Sequence, residues 1–261
     1  MHLHRPLLGG RLLGRRKRFF VDVALADGAQ LVAHCPNTGR LLGCLDPGAE
    51  VVLQGRDRPG RKLPWTWVLV RSAKAWVGVE SVLAIPMVIE AIAGGRLPAL
   101  TGFGAVHREL RYGPNLRSRI DIVLADDERI AVAALAARRC RVSTSTWVEV
   151  KSTTLVQLGA GVRVGMFPDA PSERGRKHLA DLVDMRARGQ RAALVFAVQR
   201  GDVDAFAPAD HIDPAYGDAL RRAMLAGVEV YALRTAIRVQ RRAGELCALD
   251  LQLTEQLPLL L

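Results

Sequence analysis

Ser118-Arg119-Ile120-Asp121 ends in a carboxylate, and Glu149-Val150-Lys151 follows 28 residues after that aspartate. An Asp on one strand with a Glu-x-Lys on another is a spacing that holds a divalent metal beside a phosphodiester. Side chains alternate along a strand. Ile120, Ile122 and Leu124 are therefore expected on one face and Asp121 on the other, while Glu149 and Lys151 share a face opposite Val148 and Val150. If the two strands pair, Asp121, Glu149 and Lys151 cluster. Two carboxylates make a hard oxygen site suited to Mg²⁺ or Mn²⁺. Such a metal polarises a phosphate and acidifies water, and Lys151 offsets developing negative charge. Glu90 is a candidate third acidic ligand. The competing reading is a chance pattern of solvated strand residues.

These residues need a sheet to hold them. Pro86 to Ala93 reads as a short helix, opened by proline and stopped by Gly94-Gly95. Strands are expected at Val106–Tyr112, Arg117–Leu124 and Thr146–Ser152, then a helix over Glu173–Arg188 and an apolar strand at Ala192–Val198. Asp213-Pro214 opens a further helix, and Val228–Leu233 is a strand. This order suggests one mixed sheet flanked by helices. It is also the layout of the PD-(D/E)xK nucleases, which it resembles, with Ile120 where proline is common. Gln199, after the Ala192–Val198 strand, falls where some of these nucleases carry a supporting polar residue. The competing role for Gln199 is a strand-end cap.

Residues 1–80 differ. Phe19–Leu25, Leu31–His34, Glu50–Leu53 and Trp65–Val70 read as short strands separated by Asp27-Gly28, Pro36-Asn37-Thr38-Gly39 and Asp46-Pro47-Gly48. Short strands at this spacing suggest a small closed β-barrel of OB type. The expected class is α+β: an OB-like barrel over 1–80, a nuclease-like mixed α/β sheet over 81–240, and a weakly patterned, loosely attached tail over 241–261. Residues 126–145 are Ala/Arg-rich and suggest a short inserted helix.

The 261 residues carry 37 Lys+Arg against 26 Asp+Glu, a net charge of +11. That excess suggests a polyanion partner. Residues 1–80 hold 13 basic and 6 acidic side chains, so the excess is concentrated there. Cys35, Cys44, Cys140 and Cys247 form no CxxC pair, which argues against a zinc module or a disulfide scaffold. Gly159-Ala160-Gly161 and Gly94-Gly95 are not phosphate loops, because no Lys-Ser/Thr follows. No apolar run approaches 18 residues and no signal peptide is visible, so the chain reads as cytoplasmic with no membrane partner.

Further motifs run along most of the chain. They include Lys17-Arg18-Phe19, Ala33-His34-Cys35-Pro36-Asn37-Thr38-Gly39, Arg61-Lys62-Leu63, Val148-Glu149-Val150-Lys151-Ser152, Phe167-Pro168-Asp169-Ala170 and His211-Ile212-Asp213-Pro214. With Ser118-Arg119-Ile120-Asp121, they resemble the sugar fermentation stimulation protein A family over roughly residues 5 to 234. The resemblance implies an OB-like first domain, a nuclease-like second domain, and DNA binding linked to regulation of sugar utilisation genes. It leaves catalysis open. The chain departs from the family pattern at Val79-Glu80-Ser81, at Arg117 and in the 126–145 segment.

The cationic candidates fall into three groups. Arg15, Arg16, Lys17 and Arg18 adjoin Phe19-Phe20, and Arg56, Arg58, Arg61 and Lys62 adjoin Trp65 and Trp67. An OB-like barrel stacks bases on aromatics and tracks phosphates with cations. Here Phe19 and Trp67 are read as core and the cations as phosphate contacts. Arg174 and Lys177, with His178 in support, open a helix whose N-terminus suits phosphate. The expected function is DNA binding with regulation of sugar utilisation genes. An active Mg²⁺- or Mn²⁺-dependent endonuclease and an RNA binder are the alternatives, and a homodimer is compatible with the sequence.

Overall fold

The computed structural model describes residues 1–261 except 5, 57–59, 61, 113–117, 127–144 and 160. The candidates Arg58 and Arg61, and nearly all of the 126–145 segment, lie outside the described residues.

The first domain is a six-stranded sheet of which five strands close into a barrel. Its strands are β2 (Leu7–Arg16), β3 (Phe20–Ala24), β4 (Gln30–His34), β5 (Glu50–Gly55), β6 (Trp65–Ser72) and β7 (Ala75–Gly78), in the order β4-β3-β2-β5-β6-β7. A parallel contact between His34 and Thr66 brings β4 against β6 and closes the ring. Leu12, Val21, Val23, Val51, Leu53, Trp67 and Val70 fill the interior. Strand β2 escapes a sequence reading because Gly9, Gly10 and Gly14 interrupt its apolar run. Gly10 is needed there: a Cβ would lie 2.4 Å from Val23.

The second domain is a seven-stranded sheet in the order β1-β16-β15-β13-β10-β9-β8. Its strands are β1 (His2–His4), β8 (Ala105–Tyr112), β9 (Ser118–Ala125), β10 (Thr146–Thr153), β13 (Arg191–Val198), β15 (Glu229–Arg242) and β16 (Glu245–Gln256). β10, β13 and β15 run parallel. β13 is buried along nearly its whole length, as a central parallel strand must be. A hairpin of β11 (Leu155–Gly159) and β12 (Val162–Phe167) joins β14 (Ala205–Pro208) in a small third sheet. That hairpin has no counterpart in the sequence reading.

Helix α1 (Ala84–Ala93) covers one face of the large sheet. Met87, Val88 and Ala91 pack with Ile122, Val148, Val150, Ala193 and Val195. Helices α2 (Glu173–Ala187) and α3 (Pro214–Leu225) cover the other, where Leu179, Leu182 and Leu220 meet Val123, Trp147, Leu194 and Phe196. Ser172 caps α2 by accepting from Gly175 N, and Asp213 caps α3 by accepting from Tyr216 N.

The tail corrects the expectation of loose attachment. Residues 245–256 form β16, which pairs with both β15 and β1 and buries Leu246, Leu249, Leu251 and Leu253. The first residues likewise add β1 to the second domain's sheet and not to the barrel. Among the described residues, no helix is long and apolar enough to cross a membrane.

Candidate metal and nucleic-acid site

Asp121 lies at a fault in the β-ladder on both sides. Towards β8, the pairing runs Arg108 to Ile122 and Leu110 to Ile120, skipping Glu109, whose φ is +56°. Towards β10, the printed ladder ends at Ile122–Val148, and the Asp121 carboxylate itself accepts from Val150 N at 2.8 Å. The strands part here, and β9 rolls as they do. Ile120 consequently packs on the α2 side while Ile122 and Leu124 pack on the α1 side. The expectation that these three share a face is corrected by that roll.

Glu149 and Lys151 project from β10 towards α2. Glu149 is 2% exposed. Its Oε1 accepts from Lys151 Nζ at 2.6 Å and is held by His178 Nδ1. Arg174 Nε donates to His178 Nε2 at 3.3 Å, so in the neutral ring Nδ1 carries the hydrogen and donates to Glu149. Lys151 Nζ is also 3.1 Å from His178 Nδ1. The other oxygen, Glu149 Oε2, is buried without a hydrogen-bond partner. Burial alone would raise the Glu149 carboxyl, but Lys151 and His178 outweigh it and hold the group below the usual range. Burial and then the Glu149 charge push Asp121 up to about 6.

The scaffold behind this cluster is polar and tightly tied. Lys177 donates to Ser118 Oγ at 2.5 Å and to Asp181 at 3.1 Å, and Ser118 donates to Asp181, which pins α2 to the start of β9. Asp213, 4% exposed, accepts from Ser172 N, Tyr216 N and Arg176, which fixes the starts of α2 and α3 together. Tyr216 is fully buried against Phe167, and its hydroxyl has no partner. Asp181 and Tyr216 are not singled out by the sequence, and Asp213 is read there only as a helix cap. For Asp181 the available signal was its i+4 spacing from Lys177.

Glu90 does not join the cluster. It sits on α1, across the sheet from α2, and pairs with the Met1 amino group at 2.5 Å. A helical period identifies the helix but not which face of the sheet it covers, so the sequence could not exclude it. Gln199 also lies apart. It is 1% exposed at the junction with the barrel, where its backbone carbonyl accepts from Gly78 N. A Cβ on Gly78 would come within 2.7 Å of its Oε1.

The basic run divides by role. Arg15 donates to the carbonyls of Arg18, Asn37, Gly39 and Arg40 and so clamps the 37–40 loop. Arg16 chelates Asp22 and lies 5.4 Å from the Phe20 ring centroid. The Lys17 and Arg18 side chains are exposed and have no partner among the described residues. In the second group Arg56 is bound by Glu80 through two contacts of 2.9 and 3.0 Å, and Lys62 is exposed. Trp67 is core, as expected. Phe19 is not: it is 46% exposed.

Comparison with known proteins agrees with this architecture. The family model described as SfsA N-terminal OB domain matches residues 13–79, and that described as sugar fermentation stimulation protein RE domain matches residues 83–241. The chain belongs to the sugar fermentation stimulation protein (SfsA) family. A sugar fermentation stimulation protein homolog of Geobacter sulfurreducens is 42% identical over 260 residues, covering 100% of this chain and 99% of the relative. One from Thioalkalivibrio sulfidiphilus is 45% identical over 232 residues, or 89% and 90% of the two chains. The structure of Pyrococcus furiosus SfsA in complex with Ca²⁺ superposes with a TM-score of 0.78 at 25% identity, covering 100% of this chain and 98% of that one. The fold seen here is therefore shared with that solved structure, and Asp121 and Glu149 fall within the residues matched by the RE domain model.

Proposed function

We propose that this SfsA-family protein binds DNA and carries, at Asp121, Glu149 and Lys151, a divalent-metal centre for phosphodiester hydrolysis. The observation that carries the reading is the partnerless Glu149 Oε2 in a buried cluster with Asp121. An ionised carboxylate oxygen left unpaired in a buried site is costly unless a cation meets it. Two carboxylates are hard oxygen donors that fit Mg²⁺, Mn²⁺ or Ca²⁺ and leave coordination positions for water and a phosphate oxygen. Among the described residues no group of three His, Cys, Asp or Glu side chains closes around such an ion. The relative solved in complex with Ca²⁺ supports divalent-cation binding by this chain.

When bound, the metal would supply charge neutralisation and an acidified water. The chain's own residues do the rest. Asp121 is held by Val150 N, and His178 fixes the rotamer of Glu149. Lys151 brings a cation to the side of the carboxylates on which negative charge develops. Arg174, exposed on the first turn of α2, is the candidate to hold the phosphodiester backbone, with Lys177, exposed but tied to Ser118 and Asp181, beside it. The net charge of +11 and the exposed Lys17, Arg18 and Lys62 support a polyanion partner.

A second reading is DNA binding without cleavage in regulation of sugar utilisation genes, and its link to sugar use accords with the family's name. It is favoured by the saturation of Glu149 Oε1 by Lys151 and His178. Incubating the protein and Asp121→Ala with plasmid and single-stranded DNA in Mg²⁺, Mn²⁺ or EDTA separates the two. Metal-dependent cleavage lost in Asp121→Ala supports the first. Binding without cleavage under every metal leaves the second, and no binding at low salt refutes both.

A further inference from the structure

The turn between β2 and β3 is built at a steric cost. Lys17 and Arg18 have φ of +49° and +61°, left-handed positions usually taken by glycine or asparagine. Neither cationic side chain has a partner among the described residues, and Phe19 beside them is 46% exposed. The backbone holding them is fixed. Arg15 Nε donates to Arg18 O at 2.9 Å, and Cys35 N donates to Phe19 O at 2.8 Å. A large aromatic and two free cations are thus presented on a rigid turn. The turn is also joined towards the candidate site through two hydrogen bonds and two short backbone steps. Arg15 holds Gly39 O, Leu41 N donates to Asp169, and Asp169 lies three residues before Ser172, the cap of α2.

We propose that Lys17-Arg18-Phe19 is a contact for single-stranded DNA, in which Phe19 stacks on an unpaired base and Lys17 and Arg18 hold the flanking phosphates. The proposal rests on the DNA-binding reading and names the strand form that reading leaves open. Its physical basis is that every base has a π-face, while a stacked duplex hides those faces except at its ends. An exposed aromatic beside two free cations therefore discriminates strand form, not sequence. Arg16 and Phe20 are excluded from this role, because the one is spent on Asp22 and on the ring of the other.

The test measures affinities of the full chain in EDTA for a dT oligonucleotide, a blunt duplex of equal length and an RNA oligonucleotide. Wild type is measured first, and failure to bind any of them would sink the DNA-binding reading itself. Phe19→Ala, at an exposed position, is expected to lose roughly five- to a hundredfold in affinity for the dT strand, the range of one base stack. Its duplex affinity is expected to stay within about twofold. Phe19→Trp restores dT binding, with quenching of the added indole. Lys17→Ala and Arg18→Ala each lower the salt slope by about 0.7 on the single strand. Unchanged dT affinity in Phe19→Ala, equal losses on strand and duplex, or a loss confined to RNA would each overturn the proposal while leaving DNA binding intact.

Discussion

Replacing Asp121 by Asn should stabilise the metal-free protein while abolishing its response to metal. Burial, and then the charge of Glu149, push the Asp121 carboxyl from 3.8 to about 6. The fold therefore disfavours its ionised form. A folded value raised above the unfolded one means the cost is absent below about pH 4, where both states are protonated. The cost grows as pH rises to about 6 and is fully present above it. A shift of about two pH units corresponds to a ceiling of about 3 kcal/mol. The Asn side-chain oxygen can still accept from Val150 N, so the ladder contact survives. At this chain length the ceiling amounts to about 6–12 °C in Tm. Thermal melts of wild type and Asp121→Asn at pH 4, 6 and 8 in EDTA should show the variant ahead at pH 8 and level at pH 4. Millimolar Ca²⁺ or Mn²⁺ should then raise the wild-type Tm by mass action and leave the variant unmoved. A variant that melts at or below wild type at pH 8 would refute the argument that Asp121 is held against its own desolvation.

Three other outcomes follow from the contacts. Lys151→Met leaves Glu149 buried with His178 as its remaining partner and should cost about 3 kcal/mol in urea denaturation. No loss would mean that the Lys151–Glu149 pair carries no stability. Arg15→Ala should lower Tm, because four carbonyls lose their donor, yet leave the salt slope of DNA binding unchanged. An altered slope would assign Arg15 to phosphate after all. Truncation after Arg242 removes β16 from between β15 and β1, and gel filtration and circular dichroism should show an unfolded or aggregated chain. A soluble, native-like product would contradict the packing of Leu249, Leu251 and Leu253 in the core.

The parts of the site that were legible in the sequence are those that depend only on local alternation. Glu149 and Lys151 share a face because they are two residues apart on one strand. The Asp121 environment was not legible, because it depends on a left-handed Glu109 on the neighbouring strand and on the point where two strands part. Phe19 was misread for a related reason. It has the parity of the inward-facing Val21 and Val23, but β3 begins at Phe20, so alternation no longer governs the residue before it. The tail shows the opposite error. Leu249, Leu251 and Leu253 alternate with Asp250, Gln252 and Thr254, a clear half-buried strand. The sequence reading took the tail as weakly patterned, whereas Ala243 and Gly244, both at positive φ, are the hairpin turn that brings β16 back onto β15. In each case the missing information was where a strand starts or turns, not which residues were apolar. That is why composition and period identified the barrel, the sheet and two of the carboxylates. The positions proposed to meet nucleic acid, the ladder fault at Asp121 and the strained turn at Lys17-Arg18, became visible only once the strand ends were fixed.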